Sequence, residues 1–263
     1  MFAGLAFFLA VACGRAAAQD SALNAIDAHL ERIALFSSAV RGQQAAIDVC
    51  GRQSAEALAL YQAAVAAGRS DDLPSLESAC QTTATLLNHY MQRLIDTQQK
   101  LASEYDALAG KYRGGEQPGL AEPNYVSAGA TWEKTADAVA AQAEEFSRDG
   151  SLDSAGATFE RAAGLAERAR NSWQQAFVCA RALGSAANDL TYESRAAAAL
   201  ATQRHLLRNA VKSYYNAYQQ HKLQAAADRS DVASQQIGEG WLTAAASHAQ
   251  YERLAQRLAG LPE

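Results

Sequence analysis

Apolar residues recur at alternating steps of three and four along two stretches in the first half of the chain. This spacing places their side chains on one stripe of an α-helix, at the period typical of coiled coils. The two stretches are equally long and predict an antiparallel helical hairpin over residues 19–113. The stripe of the first helix consists of Ile26, Leu30, Ile33, Ser37, Val40, Gln44, Ile47, Gly51, Ser54, Leu58, Tyr61 and Val65. The stripe of the second helix consists of Leu73, Leu76, Cys80, Thr83, Leu87, Tyr90, Leu94, Gln98, Leu101, Tyr105, Leu108 and Tyr112.

The turn between these helices is predicted at residues 68–74. Gly68 can end the first helix, Asp72 can cap the second, and Pro74 is tolerated in a first helical turn. The connection is therefore short enough to hold the two helices side by side.

The register of this hairpin bears on its cysteines. With the turn centred near residue 70, residue i lies opposite about 141 − i, so Cys50 lies about 15 Å along the hairpin from Cys80. A disulfide requires Cα atoms within about 7 Å of each other. We therefore expect an unbroken first helix without a Cys50–Cys80 disulfide, the alternative being a helix break at Gly51. Cys50, Cys80 and Cys179 are then small apolar core residues.

Glycine and proline at residues 114–124 interrupt the pattern and predict a hinge between two helical regions. Residues 125–263 are rich in alanine and indicate four further helices, with turns at Asp149-Gly150, Asn188-Asp189 and Ser230-Asp231. Alanine buries little area, so packing relies on close approach of the backbones, with Phe159 and Trp173 filling wider gaps. The predicted fold is all-α: a long, coiled-coil-like antiparallel hairpin followed by an Ala-rich helical bundle, about six helices in all.

One window resembles a tetratricopeptide repeat. The family's small, aromatic, turn-glycine, small, aromatic and small positions are matched in spacing by Ala143, Phe146, Gly150, Ala155, Phe159 and Ala162. The positions where the family prefers Trp, Leu and Pro hold Val139, Gln142 and Glu167. The resemblance covers about one repeat, and it implies an alternative fold with helical repeats in the second half.

Residues 1–18 are predicted to be a secretory signal peptide. An apolar run is followed by Ala16-Ala17-Ala18, an A-x-A site that places cleavage after Ala18. The run is too short for a transmembrane helix, although no Lys or Arg precedes it. The alternative is a lipid anchor on Cys13, for which the expected leucine lies one place too early, at Leu9. The mature chain is thus expected to be periplasmic or secreted, without a transmembrane span.

The charge balance excludes one class of partner. The whole chain has 23 basic and 28 acidic residues, and removal of residues 1–18 takes away one Arg, so the net charge becomes 22 − 28 = −6. A nucleic-acid-binding domain normally carries a basic surface, so no nucleic acid is expected. Three cysteines remain, and an odd number leaves at least one unpaired or paired between chains.

Two groups of side chains are candidates for binding. Aromatic and histidine residues on the last two predicted helices can line a small-molecule pocket: Tyr214, Tyr218, His221, Trp241 and His248. A basic stripe at steps of four can face an acidic partner surface or an anionic envelope polymer: Arg204, Arg208 and Lys212. No catalytic, metal or cofactor motif occurs in the sequence, so we expect no enzyme activity, no cofactor and no metal.

These observations predict a non-enzymatic, exported helical protein that acts as a scaffold or adaptor for protein–protein interaction in the cell envelope. Its partner is another protein or a second copy of the same chain. The alternative is a small-molecule-binding helical bundle that uses the Tyr/His/Trp pocket between its last two helices. A signal, long helices and absent catalytic motifs motivate the first hypothesis, and the clustered aromatic residues motivate the second.

Overall fold

A computed structural model describes the backbone of residues 2–227 and 234–262 and the side chains of residues 23–226 and 239–262. Within these residues there are six α-helices and no β-strand, which confirms the predicted all-α class and the number of helices. The helices are α1 (Phe2–Ala66), α2 (Leu73–Gly114), α3 (Pro118–Arg148), α4 (Leu152–Ala182), α5 (Ala186–Ala227) and α6 (Ser234–Ala259). They form two compact units, unit 1 (Met1–Gln117) and unit 2 (Pro118–Glu263).

Unit 1 is a hairpin of α1 and α2. Gly68 adopts a left-handed conformation with φ of 67° and ends the first helix, as the sequence predicts. Pro74 lies in the first turn of α2, also as predicted. Asp72 occupies the N-cap position, but its side chain makes no capping hydrogen bond; it forms a 3.4 Å ion pair with Arg69 instead.

Polar contacts between the helices confirm the predicted pairing of this hairpin. The Gln43 amide donates to the Thr97 hydroxyl at 3.0 Å, and Arg32 Nε donates to a Glu104 oxygen at 2.8 Å. Helix α1 continues unbroken through Gly51. Among the residues whose side chains the structure describes, Cys50, Cys80 and Cys179 form no disulfide, in agreement with the expectation of no Cys50–Cys80 bond.

Eight of the twelve residues of the predicted α1 stripe are half-buried, whereas Leu30, Gln44, Leu58 and Val65 are exposed. The predicted contact residues Leu30, Leu58 and Val65 remain 45 %, 50 % and 51 % exposed. The positions immediately before them in the heptad series are buried or half-buried against the hairpin: His29, Phe36, Gln43, Cys50, Ala57 and Ala64. Small side chains at Ala57 and Ala64 allow close approach, and the contacts of Gln43 and His29 with α2 fix this register. On α2, every predicted stripe residue is buried or half-buried.

The break between the units is shorter than the predicted hinge at residues 114–124. Helix α2 continues to Gly114 and α3 begins at Pro118, so Pro123 lies inside a helix. Proline is favoured in the first helical position, where its missing N–H has no partner in any case. Pro123 removes one further bond, the one to the Gly119 carbonyl, and the helix continues past it.

Unit 2 is a chain of neighbouring antiparallel helices in which α3 packs on α4, α4 on α5, and α5 on α6. Alanine supplies most of the buried apolar positions, as predicted, and Phe159 and Trp173, each 4 % exposed, are among the others. The turn predicted at Asn188-Asp189 is wrong, since both residues lie in the first turn of α5. Gly184, with φ of 71°, makes this turn. The predicted start of the last helix at Ser230-Asp231 lies outside the described residues.

The tetratricopeptide alternative does not fit unit 2. A repeat of that family is a helix–turn–helix of about 34 residues. Helices α3 and α4 have 31 residues each, so one pair spans nearly twice that length. The matched window instead joins the end of α3 to the start of α4, and abundant alanine explains several of its matches.

Aromatic rings of neighbouring helices pack directly against two glycines. A Cβ at Gly129 of α3 would lie 2.7 Å from Cε2 of Trp173, and a Cβ at Gly156 of α4 would lie 2.8 Å from Cδ2 of Tyr214. The Trp173 indole also donates to Glu133 at 2.8 Å, which fixes its orientation over Gly129. Rings seated over glycine therefore set the spacing of α3, α4 and α5.

We predict that Gly129→Ala lowers the free energy of unfolding of unit 2 by about 1–3 kcal/mol, because the added methyl group overpacks a filled site. Gly164→Ala is the matched control, since nothing lies within 4 Å of a Cβ at that position in α4. This control should gain about 0.5–1 kcal/mol, as alanine is the better helix former. Urea unfolding followed by circular dichroism measures both, and equal values for the two variants would contradict the role of the ring.

Candidate functional site

The structure brings together part of the predicted pocket on the last two helices. The rings of Tyr218 on α5 and His248 on α6 have centroids 4.8 Å apart. His248 also contacts Tyr251, with centroids 5.8 Å apart. Trp241 lies two turns before His248 on α6 and is half-buried. Tyr218 and His248 thus pack directly against each other at the interface of α5 and α6.

The ring of Tyr214 packs against α4. Its side chain is 7 % exposed and its ring covers Gly156. Burial raises the pKa of Tyr214, and the negative charges of Glu160 and Asp153 raise this pKa further. The tyrosine is therefore a neutral core residue, which separates it from the Tyr218–His248 contact.

His221, the last predicted pocket residue, forms part of a polar node that joins three helices. Its Nε2 lies 2.6 Å from Oδ2 of Asp153, near the start of α4. The hydroxyl of Ser247 on α6 donates to Oδ1 of the same carboxylate at 2.7 Å. Serine and histidine thus share the carboxylate as acceptor.

A row of ion pairs continues from this node along α4 and α6. Arg253 binds Glu160 with both terminal nitrogens, at 2.8 and 2.6 Å. One turn further along α6, Arg257 donates to Glu167 at 2.8 Å. Sequence reasoning missed this row, although a signal was present: Asp153, Glu160 and Glu167 follow one another at seven-residue steps.

The predicted basic stripe lies on the exposed side of α5. Arg204 is half-buried, whereas Arg208 and Lys212 are exposed. Within the described part of the chain none of the three forms an ion pair. The stripe therefore presents free positive charge to the solvent.

One end of this stripe borders an open groove of about 450 Å³ between the end of α3, the start of α4 and the middle of α5. Its charged residues are Lys212, Arg148 and Glu144, and the buried residues Ser213 and Phe159 form part of its wall. Arg148 and Lys212 have no ion-pair partner among the described residues. Two free cations beside one carboxylate favour a small anionic ligand.

A separate surface lies on α1 in unit 1. Four apolar residues at one heptad position stay largely exposed, although the hairpin covers the residues beside them. We define the α1 flank by these residues, which are Leu23 (57 % exposed), Leu30 (45 %), Leu58 (50 %) and Val65 (51 %). Helix α2 has a single large apolar side chain of comparable exposure among its residues, Leu86 at 44 %. The α1 flank is thus a more continuous apolar surface than any on α2.

No protein-family model matches the chain, and no curated protein sequence is significantly similar to it. Among the residues that the structure describes, no helix is long and apolar enough to cross a membrane. The described residues also contain no group of three or more histidine, cysteine or carboxylate side chains placed to hold a metal ion. The predicted signal peptide and the alternative anchor at Cys13 lie outside the residues whose side chains are described.

We predict that Asp153→Asn lowers the free energy of unfolding by about 1–2 kcal/mol, because hydrogen bonds to a charged group contribute more than neutral ones. The side chain is partly exposed, which reduces the effect. Asp137→Asn on α3 is the control and should change stability by less than about 0.5 kcal/mol.

Hydrogen exchange locates the effect of Asp153→Asn. Amides of α6 around Ser247 should exchange faster in this variant, because the carboxylate holds Ser247 against α4. Unchanged exchange throughout α6 would show that the node does not attach that helix.

Proposed function

We propose that the chain is a non-enzymatic, exported helical scaffold of the cell envelope, which binds a helical protein segment through the α1 flank. The observation that carries this proposal is the row of exposed leucine and valine side chains at heptad spacing on a helix of the hairpin. The apolar run and A-x-A site of residues 1–18 support export. Long helices without catalytic motifs support a scaffold rather than an enzyme.

The spacing of the α1 flank specifies the kind of partner. Side chains seven residues apart lie on one line along a helix and match a second helix that carries the same repeat. Full burial of a Leu or Val side chain contributes about 1.5–3 kcal/mol, so covering four half-exposed ones contributes roughly 3–6 kcal/mol. Association itself costs several kcal/mol. The neighbouring half-buried residues Ile26, Ile33 and Ile47 would therefore have to contribute as well.

The middle of the flank limits which partners fit. Between Leu30 and Leu58 the same heptad position holds Ser37, Gln44 and Gly51. Polar or small residues within an apolar stripe reduce affinity but select the register and the partner. A partner helix is thus expected to be apolar at both ends of the contact and polar or small at its centre.

We predict that the double variant Leu30→Glu, Leu58→Glu abolishes capture of partner protein from envelope extracts, because it buries two charges against apolar side chains. Leu35→Glu is the matched control: Leu35 is 65 % exposed on the opposite flank of α1 and should not affect capture. Capture is measured by affinity purification after chemical crosslinking, with thermal unfolding as the test of correct folding. Equal recovery of the same proteins by both variants would contradict the proposed surface.

A second candidate function is small-molecule binding, and the groove beside Lys212 favours it. The predicted pocket on α5 and α6 has its Tyr218 and His248 rings packed on each other. The groove instead offers the free cations of Arg148 and Lys212 in an open volume of about 450 Å³. This arrangement suits a compact anion, for which charge-assisted hydrogen bonds provide most of the affinity.

We predict that pyrophosphate, used as a probe, raises the melting temperature of the wild-type chain and that Lys212→Glu removes this rise. Loss of a charged hydrogen bond of about 1.5–3 kcal/mol corresponds to roughly ten-fold weaker binding or more. Arg204→Glu is the control, because Arg204 belongs to the same stripe but not to the groove. A rise that is the same in all three proteins would exclude the groove as the binding site.

A further inference from the structure

We propose that the occupant of the α1 flank is the α1 flank of a second copy of this chain, in antiparallel orientation with the two-fold axis at Gln44. This inference rests on the proposed function and names the partner of the same surface. It is carried by the order of residues along the flank together with their exposure.

The order of large apolar, small and polar residues along the flank is the same from either end of the helix. With the residues between them at the same heptad position, the four flank residues form the series Leu23, Leu30, Ser37, Gln44, Gly51, Leu58 and Val65. In an antiparallel pair centred on Gln44, residue i of one copy lies opposite residue 88 − i of the other. Large apolar side chains then face each other at both ends, small ones face each other nearer the centre, and Gln44 faces itself. A two-fold interface requires such self-complementarity.

The charged residues beside the flank agree with the same axis. The residue four positions after each flank residue lies next to the α1 flank on the helix surface. Charges at such positions set the orientation of paired helices. Arg41 and Asp48 occupy two of these positions and are both exposed. In the antiparallel pair Arg41 of each copy lies beside Asp48 of the other, giving two complementary contacts. Arg41 forms no ion pair within the described part of its own chain.

A parallel pair is disfavoured by the same residues. With Gln44 again opposite Gln44, it would place Arg41 level with Arg41 and Asp48 level with Asp48. Like charges at one level repel each other, whereas the antiparallel pair has opposite charges there. Among the other neighbouring positions, Ala34 and Ala55 are small and face each other only in the antiparallel pair, in which Asp27 lies beside Gln62.

The hairpin leaves this face accessible. Helix α2 covers α1 at the positions of His29, Gln43 and Cys50, one residue before the flank in each heptad. The Gln44 amide is exposed and donates to Asp48 of its own helix at 3.2 Å, a weak contact that a facing amide can replace. Two hairpins joined through α1 would form a bundle of four helices, a common arrangement for long amphipathic helices.

Single cysteines introduced into the full chain test the axis directly. Gln44→Cys should form a disulfide-linked dimer on mild oxidation, since a residue on a two-fold axis meets its own copy. Leu30→Cys alone should remain monomeric on a denaturing gel, but an equimolar mixture of Leu30→Cys and Leu58→Cys should yield a mixed dimer. Leu35→Cys on the opposite flank is the control and should not crosslink. The wild-type chain, with its native cysteines, sets the background.

Light scattering after size-exclusion chromatography gives the independent measurement. The wild-type chain should have the mass of a dimer, and Leu30→Glu should raise the dissociation constant about ten-fold or more, as expected when a charge replaces a buried apolar contact. Self-crosslinking of Leu30→Cys would overturn the antiparallel arrangement. A monomer whose Gln44→Cys variant does not crosslink would overturn the dimer. In that case the scaffold function is decided separately, by whether partner capture still depends on Leu30 and Leu58.

Discussion

A helix with a single neighbour can bury only one stripe of its surface, and this constraint explains most of the molecule. In unit 1 each helix packs on one other helix, so α1 turns the stripe with His29, Gln43 and Cys50 towards α2. The next heptad position, with Leu30 and Leu58, is left uncovered as a direct result. The apolar surface that carries the proposed function therefore follows from the hairpin architecture itself.

Unit 2 meets the same constraint in a different way. Alanine in the interior brings consecutive helices close together, and tryptophan and tyrosine rings over glycine fill what remains. Helix α6 lies at the end of the row and has few buried apolar residues, with Ala244 and Leu254 among them. It is joined to α4 by polar contacts, from the Ser247 hydrogen bond to the Arg253 and Arg257 ion pairs. Such exposed pairs contribute little individually but specify where the helix lies.

How much of this could be predicted from the sequence depended on which residues carried the signal. Leucine and tyrosine at regular spacing located α2 and its buried stripe correctly. Four residues of the predicted α1 stripe are exposed because the real contacts also use Ala57, Ala64, Gln43 and His29, which do not appear as an apolar pattern. The hinge was predicted too long, since proline near a helix start is compatible with helix.

The candidate sites were less predictable than the helices. Tyr218 and His248 do meet, because residues on facing stripes of neighbouring helices come together. His221, however, binds Asp153 on α4, and periodicity within one segment cannot identify a partner 68 positions away. The groove beside Lys212 likewise depends on where α3 ends relative to α5, and no local sequence pattern predicts that position.

The seating of Trp173 over Gly129 and of Tyr214 over Gly156 also limits how unit 2 can move. Each ring occupies a recess that exists only where the opposing residue has no Cβ. Sliding one helix by a single residue would drive the ring into a neighbouring side chain, so the helices are locked along their axes. Shear between α3, α4 and α5, the usual small-amplitude motion of packed helices, is thereby blocked.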